Sequence, residues 1–364
     1  MLRLELRKET SKAMLYTTPI IAVLLTIVAS MVMFALLGKD PVRAISIIFM
    51  QPFSSTFAMS ELVVKATPLI LIAIGLSMGF RAGVWNIGAE GQFTIGALAG
   101  GSVALLFYNV DSIFILPLMC VAGVLGGMAW GAIPAFLRTR FNANEILVSL
   151  MMSYVAVLLL GALVHGPLRD PDGFNFPESR IFHDAASLPI LVEGTRLHMG
   201  FLVSLLAVVT AWVLLSRHII GFQIKVLGLS PRAARFGGFI ESKLIWACLM
   251  VSGGLAGLAG LFEAAGPIGQ LVPSLPVGYG FTAIIVAFLG RLNPVGILIS
   301  GFVMALTYIG GEAAQIQMNL PSAVTGVFQG MLLFFLLGID VLAKHRFKWV
   351  PSHHHQKHQK HGKA

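Results

Sequence analysis

Long apolar runs alternate with short polar turns along almost the whole chain. They fall at roughly 16–37, 62–80, 89–107, 113–137, 145–164, 199–216, 243–265, 279–290, 295–310 and 321–342. Most approach the roughly 20 residues that a helix needs to cross a hydrocarbon core about 30 Å thick. A barrel would show short alternating strands, and an open sheet cannot satisfy its edges in lipid. The pattern predicts an all-α, polytopic integral membrane protein with about ten transmembrane helices. The run at 279–290 is short and follows Gly266, Pro267, Gly269, Pro273, Pro276 and Gly278, so a broken or re-entrant segment is expected there. The first run, preceded by Arg3, Arg7, Lys8 and Lys12, is long enough to span and reads as a retained helix rather than a cleaved signal.

Composition closes off the soluble alternatives. Of 364 residues, 57% are hydrophobic and 11% charged, against about 25% charged in soluble proteins. The net charge of +9 does not call for nucleic acid, because cytoplasmic loops of membrane proteins collect Lys and Arg. With the N-terminus inside, the inner segments hold 19 Lys+Arg and the outer ones 6. This predicts a cytoplasmic segment 1–17, a transmembrane domain 18–342 and a cytoplasmic His/Lys-rich tail 343–364. Within the domain, 165–198 is an outer loop and 217–242 an inner loop. The outer loop is either a solvated connector or a docking surface. The tail is either a basic segment near anionic lipid or a metal binder.

Several chemistries lack their residues. The chain contains no GxxxxGK[ST] phosphate loop, no HExxH and no GxSxG. Cys120 and Cys248 lie singly within apolar runs and read as small core residues. The reading is a non-enzymatic membrane protein with no cofactor and no metal site, which points to transport.

The richest stretch is Gly79–Phe93, between two apolar runs. Arg81, Asn86, Glu90 and Gln92 are polar groups near or within membrane depth, where a charge costs roughly 2.5–3.5 kcal/mol on insertion scales. Gly83, Gly88 and Gly91 argue against one unbroken helix. Transporters place their pathways at such discontinuities. These residues are candidates for a translocation pathway or gate, or else a polar knot that faces only protein. Glu263, beyond a glycine-rich helix face, and Thr282, in the short span, join them as pathway candidates. Gln315, Gln317 and Gln329 flank or enter the last span. Gly96xxxGly100, Gly123xxxGly127xxxGly131 and Gly253–Gly260 are expected to serve close helix packing.

The inner loop contains a legible short helix. Ser230 can cap it, Pro231 suits its first position, and Gly237-Gly238 stops it. Arg232, Ala233, Ala234, Arg235 and Phe236 lie between. A helix this short is not stable alone. It reads as a knob for a partner's groove, or as a lipid-surface helix held by its arginines.

Five stretches resemble permease subunits of bacterial ABC importers, in the nucleoside and simple-sugar branch of the ribose and branched-chain amino acid permease family. They are FRAGVWNIGAEGQ (80–92), NEILVSLMMSYVA (144–156), GFQIKVLGLSPRAARFGG (221–238), GYGFTAIIVAFLGRLNPVG (278–296) and PSAVTGVFQGMLLFFLL (321–337), in family order. The resemblance implies that Ser230–Gly237 is a coupling helix docking on a cytoplasmic ATP-binding subunit. It implies a second permease subunit, identical or homologous, and an external substrate-binding protein or lipoprotein. The location implied is the cytoplasmic (inner) membrane, with both termini cytoplasmic. The wording of 86–92 is closer to the nucleoside branch, so nucleosides are expected first and simple sugars second, carried by alternating access. The rival reading is an ion-gradient-driven secondary transporter with Glu90 or Glu263 as the ion site, and a second rival is a non-transporting scaffold.

Overall fold

The computed structural model describes residues 2–6 and 12–349. Thirteen α-helices among the described residues make up nearly all of the fold. They are α1 (Lys12–Leu36), α2 (Pro41–Met50), α3 (Thr56–Arg81), α4 (Ala89–Leu106), α5 (Ile115–Phe141), α6 (Glu145–His165), α7 (Gly200–Arg217), α8 (Ile219–Leu229), α9 (Pro231–Phe236), α10 (Glu241–Glu263), α11 (Tyr279–Leu289), α12 (Pro294–Met318) and α13 (Ala323–Lys344). Each expected span corresponds to one helix. Among the described residues, seven helices are both long and apolar enough to cross a membrane. Strands β1 (Leu2–Leu6) and β2 (His345–Trp349) pair antiparallel, Leu2 opposite Trp349, and bring the two ends of the chain together. The tail therefore begins with the last two residues of α13 and continues as the paired strand His345–Trp349. Its His-rich part, from residue 350, lies outside the described residues.

Two helices were not expected. α2 is capped by Asp40, whose carboxylate accepts from the N–H of Val42 and Arg43, and it packs on α12. α8 fills half of what reads as a basic inner loop, burying Gly221, Ile224 and Leu227. α12 also runs on to Met318 instead of stopping near 310. Gly310 and Gly311 do not end it, because they are packing sites: a Cβ on Gly310 would strike the Ile48 carbonyl.

α3 lies at the centre, with Ala66 to Leu76 completely enclosed and α10, α11, α12 and α7 around it. Beside it α4, α5 and α10 pack against one another through their glycines. A Cβ on Gly127 would overlap the Gly253 carbonyl, one on Gly257 the Gly123 carbonyl, and one on Gly96 the Gly257 backbone. The expectation of close glycine packing holds, for a reason specific to lipid. The hydrophobic effect does not drive helices together in an apolar solvent, so backbones approach until van der Waals contact does.

The outer loop is tied down by main-chain bonds to the segment after α10. Ser179, Phe182 and Leu188 donate their N–H to the carbonyls of Leu271, Gly269 and Ala265, at 3.0, 2.8 and 3.0 Å. It is thus more than a solvated connector, although Phe174, Phe176, Ile181 and Ile190 remain exposed on it.

Candidate functional site

The break between α3 and α4 is real. α3 ends at Arg81, Gly83 takes a left-handed φ of +71°, and α4 restarts at Ala89. An unbroken helix could not place Asn86 as it is placed. Its Nδ2 donates to Gln92 Oε1 (2.8 Å) and to Ser252 Oγ on α10 (3.0 Å), while its Oδ1 accepts from Gly88 N (3.0 Å) and Gln92 Nε2 (3.3 Å). Asn86 and Gln92 are each 1% exposed. α6 braces the same turn: Ser149 Oγ accepts from Ile87 N (3.1 Å) and Ser153 Oγ from Gly91 N (3.2 Å). A side chain on Gly88 or Gly91 would push α6 away. The first two matched stretches are thus two halves of one joint.

Glu90 reaches from α4 to the start of α11. Its Oε1 accepts from Gly278 N (2.7 Å) and its Oε2 from Gly280 N (2.5 Å). These are otherwise orphan donors at a helix N-terminus, where the helix dipole favours negative charge. Gly280 approaches so closely that a Cβ would enter the Ala89–Glu90 backbone. Arg81 ties the same break to the far end of α11: its Nε donates to Leu292 O (2.9 Å), in a turn where Arg291 and Leu292 both take positive φ. In this structure the side chains of Asn86, Glu90 and Gln92 are buried within the protein. α11, held at both ends by the α3–α4 joint, is the element they position.

α11 is 11 residues long, about 16 Å, which is half a membrane span. Around it lies a polar strip. Tyr279 OH, fully buried, donates to Glu263 Oε1 (3.2 Å) and accepts from Lys65 Nζ (2.8 Å). The Lys65 ammonium also lies 5.4 Å from the centre of the Tyr279 ring. Thr282 Oγ1 lies 2.9 Å from Tyr308 OH and donates to Gln329 Oε1 (3.4 Å). Glu263, Thr282 and Gln329 are thus brought together along one strip, whereas Gln315 pairs with Thr325 (2.8 Å) elsewhere.

Lys65, Tyr279, Tyr308 and Glu61 are functional candidates that sequence reasoning missed. Glu61 is buried on α3 and holds Arg196 of the outer loop in a two-pronged ion pair, with Nε to Oε1 at 2.9 Å. That pairing raises the Arg196 guanidinium above its ordinary value. The available signal was the Glu61-x-x-x-Lys65 spacing within an apolar run, since ionisable residues inside a span rarely lack a role. Near Arg196, His198 is buried against Phe262 and Gly266, and burial pushes its imidazole down to about 4.

The short inner helix forms as expected. Ser230 Oγ accepts from Ala233 N (3.3 Å), and Gly237 closes α9. Ala234 is buried in one cluster with Ile224 and Leu227 of α8 and Leu244 and Ile245 of α10, to which Met78 near the end of α3 also belongs. Pro231, Arg232, Ala233, Arg235 and Phe236 all face outward, Phe236 at 95% exposure. Arg235 is paired with Glu241 at 2.8 Å. The preceding α8 rests on the joint itself, for a Cβ on Gly228 would strike the Arg81 carbonyl.

Comparison with known proteins agrees in kind. Residues 58–337 match the family described as branched-chain amino acid transport system, permease component. The chain is 34% identical to a glucose ABC transporter permease protein of Haloferax volcanii, over 95% of this chain and 93% of that one. It is 30% identical to a guanosine ABC transporter permease protein of Bacillus subtilis, over 87% and 92%. It is 24% identical to a nucleoside ABC transporter permease protein of Lactococcus lactis, over 87% and 89%.

Proposed function

Since the chain belongs to the branched-chain amino acid transport system permease family, and is an ABC transporter permease, we propose that it is the membrane subunit of an ATP-driven importer. Its solute would be a small, neutral, hydroxylated molecule, nucleosides first and simple sugars second. Two of the relatives named above carry guanosine or nucleoside in their names, and one carries glucose. The cytoplasmic membrane is the location proposed. Both termini are proposed to be cytoplasmic, in keeping with the basic inner loops and the β1–β2 pairing.

The observation that carries this reading is the seating of α9. Phe236 and Arg232 stand exposed on a six-residue helix whose inner side, Ala234, is buried against α8 and α10, and α8 in turn rests on the end of α3 at Gly228. A partner gripping Phe236 would pull on the joint at Arg81–Gln92 and, through Glu90 and Arg81, on both ends of α11. In the proposed cycle, the ATP-binding subunits close on ATP and move α9. α11 and its polar strip then pass between outward and inward arrangements. Work is transmitted only if those subunits bind the two arrangements with different affinity. The Arg81–Asn86–Glu90–Gln92 joint carries the motion, and Glu263 and Thr282 border the route. An external binding protein would dock on the outer loop, and a second permease subunit would complete the pathway.

The test is copurification from native membranes in mild detergent. An ATP-binding subunit should accompany the native chain and be lost when Arg232, Ala233 and Arg235 are all changed to Glu. Uptake that survives depletion of that subunit but stops with an uncoupler would overturn the importer in favour of a secondary transporter.

A further inference from the structure

Among the described residues, two buried side-chain polar atoms have no hydrogen-bond partner: Ser30 Oγ and Gln329 Nε2. Buried polar groups in folded proteins are nearly always paired, so each exception requires a reason. Ser30 is an isolated hydroxyl on α1. Gln329 is different, because it ends a relay. Its residue is 7% exposed, its Oε1 accepts from Thr282 at 3.4 Å, and Thr282 in turn meets the Tyr308 hydroxyl at 2.9 Å.

The relay lies close to an open face. Tyr308 is half-buried and Glu312, one turn further along α12, is exposed. Phe281, the neighbour of Thr282 on α11, is 39% exposed. The nearby charges of Lys65 and Glu263 are already engaged through Tyr279. What remains for a ligand at the relay itself is one amide edge and two hydroxyls, with the Glu312 carboxylate one turn further along α12.

We propose that Gln329, Thr282 and Tyr308 form a solute-contact site that reads a hydroxyl of a neutral sugar ring, whether free or as the ribose of a nucleoside. The inference rests on the importer reading and deepens it by giving the permease its own solute discrimination, separate from that of the external binding protein. Hydrogen-bonding sites of this kind discriminate strongly, because an analogue lacking the hydroxyl leaves buried protein groups unpaired.

The test uses the complete transporter in proteoliposomes, with its binding protein and ATP. Uptake is measured for guanosine and its 2′-, 3′- and 5′-deoxy forms, and for glucose and its 2-, 3- and 6-deoxy forms. The same measurements are repeated with Gln329→Leu, Thr282→Val and Tyr308→Phe. In the native transporter one deoxy form is expected to be carried roughly tenfold less efficiently than its parent. In Gln329→Leu that difference should collapse, with a raised KM for the parent and unchanged ATPase stimulation by solute-free binding protein. A purely structural role for Gln329 would alter assembly or ATPase stimulation and leave the parent-to-deoxy ratio alone. If Gln329→Leu does not assemble, Thr282→Val, which removes one hydroxyl of the same relay, is expected to shift the same ratio. An unchanged ratio in every assembled variant overturns the site and leaves the importer standing. Failure of the native transporter to import either series with ATP overturns both.

Discussion

Glu90 and Gly280 are 190 residues apart in sequence and 2.5 Å apart in space. The carboxylate of one accepts the main-chain N–H of the other, and the same carboxylate holds Gly278. A helix start buried among helices has no water to satisfy it, so this anion fixes where α11 begins. Glu90→Gln keeps one acceptor and turns an amide N–H₂ toward the other donor. A hydrogen bond to a charged group contributes about 1.5–3 kcal/mol, so the variant should lose about 2 kcal/mol of stability and most of its transport. Thermal melting in detergent, together with copurification of the ATP-binding subunit, separates loss of α11 placement from loss of assembly. Full transport by Glu90→Gln would remove Glu90 from this role.

The α4–α5–α10 packing makes a sharper prediction. Gly257→Ala places a methyl on the Gly123 carbonyl, backbone against backbone, where neither side has a flexible end to move. Overpacking of this kind costs about 1–3 kcal/mol or more, and folded protein should fall markedly on size exclusion. Gly161→Ala on α6 meets nothing within 4 Å and should be neutral or stabilising by up to about 1 kcal/mol. Equal effects of the two would refute the packing account.

His198 gives a pH dependence with a definite sign. Its imidazole ionises at about 4 in the folded protein, because burial disfavours the charged form, against 6.5 when exposed. Above 6.5 both states are neutral and the residue contributes no slope. Between 6.5 and about 4 the unfolded chain takes up a proton that the folded one refuses, so stability falls as pH falls through that window, by up to about 1.4 kcal/mol per pH unit. His198 Nδ1 accepts from Gly200 N at 3.1 Å, a bond that His198→Asn can retain. The melting temperature of the variant should decline less between pH 6.5 and 4 than that of the native protein.

α9 depends on its cap. With six residues it cannot nucleate alone, and Ser230→Ala removes the acceptor for Ala233 N, at a cost of about 1 kcal/mol. In the proposed assembly, that corresponds to roughly a fivefold weaker hold on the ATP-binding subunit. Ser230→Thr should restore it. Binding of the purified subunit to both variants, measured by titration in detergent, decides the matter.

The solvent, the spans and their breaks were legible in the amino-acid sequence. In lipid each helix must satisfy its own backbone, so hydrogen bonding is local and hydropathy reports it directly. Gly83, Gly88 and the proline-rich approach to α11 marked where that rule is suspended. The Ser230 cap was legible for the same reason, since a cap acts within three residues. α2 and α8 leave no mark in the hydropathy pattern because they are 10 and 11 residues long, too short for a span, and are kept helical by what they pack on.

What only the tertiary structure decided is partnership. Sequence put Glu90, Asn86 and Gln92 in one polar stretch, but their partners Gly278, Gly280 and Ser252 lie far along the chain. Nothing in the sequence pairs Lys65 with Tyr279, 214 residues further along the chain. A buried polar side chain takes whatever partner helix packing brings within 3 Å, and that packing is set by contacts among helices distant in sequence. The pattern along the chain therefore determined that this protein crosses a membrane and where its helices break. The three-dimensional arrangement determined which polar groups hold the breaks.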